Sequence, residues 1–150
     1  MSFTRHIHEK LNFVLSQAAG TIDDNDYLVH ILAFQVETKK LNHVRELLDF
    51  RHTRNADSIT VNGLIRMAAL ERDRSKDRDF LLAILVNTDL LGQFAEVFAR
   101  IIATINLKVK VFSDEVDGAL SWLGYDTSDK AKLKQFIGQH SPPRCCGLVR

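Results

Sequence analysis

Apolar residues along the chain fall into short continuous runs and into stretches with helical spacing. The clearest run is Phe80–Val86, seven consecutive apolar residues bounded by charged and polar positions. Such a run predicts a central strand that is buried on both faces of a sheet. Apolar positions from Leu90 to Ile105 then recur at helical spacing opposite a polar stripe, which predicts an amphipathic helix. The alternating segment Leu107–Phe112 predicts a further strand, and its two lysines favour a position at or near a sheet edge.

The first half of the chain carries similar signals. Phe3–Ile7 and Leu11–Ala18 predict two strands that form a hairpin. Acidic residues at 23 and 24 predict the start of a first helix that runs to about Lys39. Val44–Phe50 predicts the next strand, and the polar residues 51–55 predict a loop after it.

The remaining elements are predicted to be helices. Apolar residues from Val61 to Ala69 indicate a second helix, and Ser113 precedes a short helix that Gly124 is expected to end. Thr127 or Ser128 is expected to start a last helix, whose inward-facing residues are Leu133, Phe136 and Ile137. The prediction is therefore one α/β domain at residues 1–140, with a four- to five-stranded mixed, mostly parallel sheet flanked by helices, and a flexible tail at 141–150.

Composition and charge narrow the classes of partner. The chain has 150 residues, of which 45% are hydrophobic, and its net charge of +1 comes from 20 basic and 19 acidic residues. So balanced a charge argues against a nucleic-acid partner or an anionic membrane. No apolar run is long enough for a membrane span, so we expect a cytoplasmic protein. Cys145 and Cys146 are adjacent and fit neither a disulfide framework nor a zinc site, and no cofactor is expected.

The carboxyl ends of parallel strands meet at one edge of a sheet, where binding sites of open α/β sheets lie. Four segments are expected there, namely Gly20–Asp24, Asp49–Ser58, Asn87–Asp89 and Ser113–Asp114. They offer carboxylates and hydroxyls, but His52 is the one histidine among them and no cysteine is present. A nucleophile paired with a base is therefore not expected, and neither is an enzyme.

Three features of the sequence have more than one interpretation. Asp57 and Ser58 favour a helix cap over a functional site. Asp23, Asp24, Asp49 and Thr88 allow a receiver-like phosphoacceptor as a remote alternative. His6 and His8 would share one face of a strand, but a third metal ligand is missing from the pattern, so no metal site is predicted.

Four segments together carry a resemblance to a known family. They are Gly20-Thr21-Ile22-Asp23-Asp24, Leu47-Leu48-Asp49-Phe50-Arg51, Phe80–Val86, and Val111-Phe112 followed by Ala119-Leu120-Ser121-Trp122-Leu123. This pattern resembles the STAS-like superfamily, and within it the SpoIIAA-like group, also described as STAS/SEC14-like. The resemblance implies a mixed sheet flanked by helices that binds protein partners or small apolar ligands rather than catalysing a reaction.

The resemblance also bears on regulation. In anti-sigma-factor antagonists of this superfamily, an Asp-Ser-Ser-Gly turn follows eight residues after the strand-end Asp, and its second Ser is phosphorylated. Asp57 and Ser58 match the first two positions here, but Ile59 and Thr60 occupy the next two. We therefore predict a constitutive protein in which Ser58 is a structural cap, so that Ser58→Ala costs about 1 kcal/mol of stability.

The sequence thus predicts a non-enzymatic regulatory or binding module that recognises a protein partner. The alternative is a SEC14-like carrier or sensor of a small apolar ligand. The apolar surface of the helix from Leu90 to Ile105 is expected to contact another subunit, which would give a homodimer, another helix or a ligand. The predicted binding residues are Asp49, Arg51, Asp57, Ser58, Asn87, Phe94 and Phe98.

Overall fold

A computed structural model describes residues 3–76, 78–86, 95–97, 99–101, 103 and 108–140, without the side chains of residues 55–58, 74 and 75. The strands are β1 (Phe3–His8), β2 (Phe13–Asp23), β3 (His43–Ser58), β4 (Asp79–Val86) and β5 (Lys108–Ser113). The helices are α1 (Asp24–Glu37), α2 (Val61–Ser75), α3 (helical at 95–97, 99–101 and 103), α4 (Val116–Trp122) and α5 (Thr127–Gln139). A short 3₁₀ turn, Glu9–Leu11, joins β1 to β2.

The five strands form one sheet in the order β1-β2-β3-β4-β5. The hairpin of β1 and β2 is antiparallel, and the other three pairs are parallel. These findings confirm the mixed, mostly parallel sheet, the hairpin, and the edge position of β5. They also confirm that β4 lies inside the sheet, because β3 and β5 pair with it on its two sides.

Two apolar clusters hold helices on opposite faces of the sheet. The larger cluster includes Ile31, Phe34, Leu48 and Ile84, and joins the sheet to α1, α2 and Ala95 of α3. The second cluster joins the other face to α4 and α5 through residues such as Leu47, Leu85, Leu120, Leu133 and Ile137. Alternate residues of each strand serve the two clusters, which is the period-two pattern of a sheet covered on both faces. The result is a three-layer α/β/α arrangement.

The predicted polar loop after Phe50 is wrong. β3 continues without a break through residues 51–58, so Arg51 lies within a strand. β2 also continues past Gly20, which has a φ of 74°, and its Asp23 pairs with Ser58. Each of the two strands therefore supplies the partner that the other needs to remain extended.

The predicted cap of α2 is also wrong. The N-cap is Thr60, whose Oγ1 accepts a hydrogen bond from the N–H of Gly63 at 2.9 Å. Ser58 is instead the last residue of β3. The last helix begins at Thr127, as predicted, and its N-cap is Asp126, whose carboxylate accepts a hydrogen bond from the N–H of Asp129.

The end of α4 agrees with the sequence. Gly124 has a φ of 99°, its N–H donates to the carbonyl of Ser121, and the N–H of Tyr125 donates to the carbonyl of Leu120. This pair of bonds is the Schellman arrangement, which favours glycine at the left-handed position. The division into a domain and a tail stays a prediction, since residues 141–150 lie outside the described part of the chain.

Candidate functional site

An ion pair on β3 marks the carboxyl-terminal end of the sheet. The carboxylate of Asp49 is fully buried and accepts hydrogen bonds from the N–H, Nε and Nη2 of Arg51, at 2.9, 3.0 and 3.0 Å. Both residues lie on the α4 side of the sheet, because side chains two apart on a strand share a face. Asp49 pairs with Leu85 of β4, and the next residue, Val86, is the last of that strand.

Arg51 connects this pair to the surface. Its side chain is 25% exposed, whereas that of Asp49 is inaccessible. The hydrogen bond with Asp49 raises the pKa of the Arg51 guanidinium, and the negative charges of Asp49 and Asp114 act in the same direction. The N–H of Asp114 donates to the carbonyl of Val86 at 2.9 Å, which places the end of β5 at this edge, as the sequence predicts.

Beyond Asp49 and Val86, β2 and β3 continue as a two-stranded ribbon, which we call the β2–β3 ribbon (residues 19–23 and 52–58). The parallel pairing of Ala19 with His52 and of Asp23 with Ser58 defines it. The register shifts between the Gly20–Thr53 and Thr21–Asn55 pairs, so that Arg54 has no register partner on β2. The last pair of β3 with β4 is Asp49 with Leu85. Within the described residues, the second side of β3 therefore has no partner strand at 52–58.

The start of α2 is fixed to the start of α1 close to this ribbon. The carboxylate of Asp24 accepts the N–H of Thr60 at 3.0 Å and its Oγ1–H at 2.7 Å. Asp23 and Asp26 form a reciprocal capping box at the N-terminus of α1. Asp23 and Asp24, two of the acids that the sequence predicts at this edge, are thus tied into helix starts.

The structure brings some of the predicted site residues together. Asp49 and Arg51 are in direct contact, and the backbones of Asp57 and Ser58 lie farther along the same strand. The side chains of Asp57 and Ser58 are outside the described part, as are Asn87, Phe94 and Phe98. In α3, Val97 is 43% exposed, and the predicted contact of that helix with a subunit, helix or ligand stays a prediction.

The receiver-like grouping of acids does not form. Asp49 pairs with Gln17 of β2, whereas Asp23 lies six residues farther along that strand. At about 3.3 Å per residue, this separation is roughly 20 Å. Asp23 and Asp49 therefore do not share one site, and Thr88 lies outside the described residues.

Sequence reasoning missed a buried polar pair under α1. Nε2 of His30 and Oε2 of Glu46 lie 3.2 Å apart, and neither side chain is accessible. Nδ1 of His30 lies 3.3 Å from Nη1 of Arg5, which also forms an ion pair with Glu37. The available signal was Glu46 itself, a carboxylate next to Leu47 and Leu48 in a predicted strand of the sheet. Because the pair joins α1 to the middle of the sheet, we assign it a structural role.

Among the histidines, the structure places His140 against His6, with stacked rings 3.9 Å apart. Within the described part of the chain, no three His, Cys, Asp or Glu side chains are arranged to hold a metal ion. In the same part of the chain, no helix has both the length and the apolar character needed to cross a membrane.

Comparison with known proteins identifies the fold. No family model matches the sequence, and no curated protein sequence matches it significantly. A solved structure does match: an uncharacterised protein of the DUF3478 family from Shewanella loihica PV-4, described as having a SpoIIAA-like fold. The two are 15% identical, with a TM-score of 0.55, and the match covers 81% of this chain and 94% of the other. The sheet order, the flanking helices and this similarity together show that the chain has a SpoIIAA-like α/β fold.

Proposed function

We propose that this protein is a non-catalytic recognition module that binds a protein partner at the carboxyl-terminal edge of its sheet. The observation that carries the proposal is the β2–β3 ribbon. At residues 52–58, β3 has β2 on one side, and no described strand pairs with its other side. An unpaired strand edge is a template for an extended peptide, which adds to it through main-chain hydrogen bonds.

The side chains around the ribbon suit a polar partner segment. His52 and Arg54 are exposed on β3, and the partly exposed Arg51 lies at the base of the ribbon. Asp49 holds the Arg51 guanidinium in a fixed orientation through two side-chain hydrogen bonds. An ordered arginine loses less conformational entropy on binding than a mobile one, which favours recognition of a carboxylate or a carbonyl oxygen.

The same contacts support a module without catalysis. Catalytic acids and bases must be within reach of a substrate. At this edge, the Asp49 carboxylate is buried against Arg51, and the Asp24 carboxylate accepts two hydrogen bonds from Thr60. The hydroxyl of Thr60 is likewise used as the cap of α2. We therefore also propose that recognition is constitutive, without a phosphorylation switch at the start of α2.

Native mass spectrometry of the freshly purified protein, followed by affinity capture from its own cells, tests this function. We expect an apoprotein with no bound small molecule, which retains a defined protein partner. A reproducible additional mass of lipid size would instead favour the apolar-ligand carrier and contradict the proposal. Turnover of a substrate by the purified protein would contradict its non-catalytic part.

A further inference from the structure

The outer face of α1 carries an apolar stripe that is exposed in the described part of the chain. Val29 is 54% exposed, Leu32 47% and Val36 75%. Large apolar side chains are usually turned toward the core of a helix-flanked sheet, and on α1 that role belongs to Tyr27, Ile31 and Phe34. The helix therefore has two apolar faces, and the second lies outside both apolar clusters of the described residues.

The spacing of the exposed residues is that of a helix–helix seam. Asn25, Val29, Leu32 and Val36 follow one another at intervals of four, three and four, and all four are exposed. This is the a/d spacing of a heptad, in which two helices pack nearly in line and interlock side chains along their length. An isolated exposed leucine would need no explanation, but three apolar residues in this register define a surface suited to a second helix.

We propose that this surface, formed by Val29, Leu32 and Val36, binds the same surface of a second copy of the chain, with the two α1 helices antiparallel. A two-fold axis at Leu32 places Leu32 against its own counterpart and Val29 against Val36 of the other copy. Every apolar residue of the stripe then meets an apolar residue. Sliding one helix along the other to the next contact position of the stripe would put Val36 against the polar Asn25, which is less favourable.

Charge favours the antiparallel direction and a copy of the same chain. The N-terminal end of α1 carries Asp26 and Asp24, the latter also bound to Thr60, whereas the exposed residues just after its C-terminal end are Lys39 and Lys40. The acid at that end, Glu37, is paired with Arg5. In the antiparallel pair centred on Leu32, the acids of one copy lie opposite the lysines of the other at both ends. A parallel pair would place like charges together, which is destabilising. The surface is thus complementary to itself, as a two-fold interface requires.

This surface is separate from the β2–β3 ribbon. The ribbon lies at the carboxyl-terminal edge of the sheet, whereas α1 covers the face of the sheet that contains Leu48 and Ile84. A dimer formed through α1 would leave the ribbon of each copy accessible and would present two of them. Two linked recognition sites bind a multivalent partner more tightly than one.

Sedimentation over a range of protein concentrations tests the interface, with Leu32→Lys as the test variant. Val97→Lys on α3 is the matched control, because Val97 is also an exposed apolar residue on a helix. We expect wild type and Val97→Lys to approach twice the 17.1 kDa chain mass, and Leu32→Lys to raise the dissociation constant at least about tenfold. Circular dichroism confirms that each variant is folded.

Three outcomes of that experiment overturn the proposal. They are a wild type that stays monomeric at every concentration, a Leu32→Lys variant that associates like the wild type, and an association that only Val97→Lys disrupts. The last of these would move the interface to α3. Sedimentation with neutral lipid vesicles is a further arm, and a monomer that binds them through Leu32 would assign the stripe to a membrane instead.

Disulfide cross-linking tests the direction of the helices, in a background with Cys145→Ser and Cys146→Ser. In the antiparallel pair, Leu32→Cys forms a cross-linked dimer on its own. Val29→Cys forms none on its own, but it cross-links to Val36→Cys when the two variants are mixed. A parallel pair would let each of the three variants cross-link with itself. That result, or the absence of any cross-link at Leu32→Cys, contradicts the proposed arrangement.

Discussion

The carboxylate of Asp24, the first residue of α1, accepts both the N–H and the Oγ1–H of Thr60, the N-cap of α2, at 3.0 and 2.7 Å. This contact sets where α2 begins, because Thr60 in turn accepts the N–H of Gly63. It joins the two helices next to the β2–β3 ribbon. The stability of this corner should therefore depend on Thr60 and not on Ser58.

Thr60→Ala removes two hydrogen bonds of this corner, the cap of the Gly63 N–H and the bond from Oγ1–H to Asp24. We expect it to lower the free energy of unfolding by about 1–2 kcal/mol, the range for the loss of a threonine N-cap. Urea denaturation followed by circular dichroism measures the change. Thr127→Ala is the matched control, since Thr127 also stands at a helix start but Asp126 provides that cap. It should change stability by less than about 0.5 kcal/mol. Equal losses in the two variants would show that Thr60 has no special role.

Gly63→Ala should destabilise the protein through the same corner. A Cβ at position 63 would collide with the carboxylate of Asp24, and we expect a loss of about 1–3 kcal/mol from the forced displacement. Repeating the substitution in an Asp24→Ala background should remove the loss, because alanine is otherwise the better helix former by up to about 1 kcal/mol.

Gly138→Ala serves as the control for helix propensity, since no atom lies within 4 Å of a Cβ at that position of α5. It should be neutral or stabilising. If Gly63→Ala were as well tolerated as Gly138→Ala, the close approach of Asp24 would not hold in solution.

Arg51→Met should destabilise the protein by about 3 kcal/mol, because it leaves the carboxylate of Asp49 buried without the charge that compensates it. Asp49→Asn should be milder, since an amide oxygen still accepts hydrogen bonds and the partly exposed Arg51 can reach solvent. Thermal denaturation of both variants shows which substitution lowers the melting temperature more. Arg54→Met on the same strand is the control and should have little effect. The reverse order of the two site variants would argue against the burial of Asp49.

The stacked pair of His6 and His140 predicts a loss of stability in mild acid. Burial lowers the pKa of His6 below its ordinary value of 6.5, and the charge of His140 lowers this pKa further. Just below pH 6.5, the unfolded chain therefore binds more protons at His6 than the folded chain does. The stabilising contribution is present above that pH and is lost as the pH falls through the lowered pKa.

Melting temperatures at about pH 7.5 and about pH 5.5 measure this effect. The decrease should be smaller in His6→Gln than in the wild type. His52→Gln, which changes an exposed histidine on β3, should keep the decrease of the wild type. If His6→Gln lost as much stability in acid as the wild type, the pair would not contribute.

The apolar strands and helices were predictable because their patterns arise from burial. Phe80–Val86 becomes a strand inside the sheet, and Lys108 and Lys110 alternate along an edge strand, as their sequences indicate. The extension of β3 was not predictable from residues 51–58, which are polar and lack a period of two. Their strand conformation depends on pairing with β2, a contact that no local pattern encodes.

The N-cap residue of α2 could not be predicted from local sequence either. Asp57, Ser58 and Thr60 are all good capping residues within four positions. The choice among them depends on where the pairing of β3 with β2 ends, since Ser58 is still paired with Asp23. The ion pair of Asp49 and Arg51 was foreseeable only as two separate site residues, because their contact required Arg51 to be in the strand rather than in a loop.

The most direct test of partner recognition at the β2–β3 ribbon compares Arg54→Pro with Arg54→Ala. Arg54 has no register partner on β2, so a proline should be tolerated there while it removes a backbone N–H and obstructs strand addition. Arg54→Ala removes the same side chain and keeps the backbone donor. The measurement is capture of the cellular partner by equal amounts of each folded variant and the wild type. Our account predicts that Arg54→Ala retains at least part of the partner, because the backbone donor remains, and that Arg54→Pro loses it, whereas equal capture by all three proteins would contradict recognition through this strand edge.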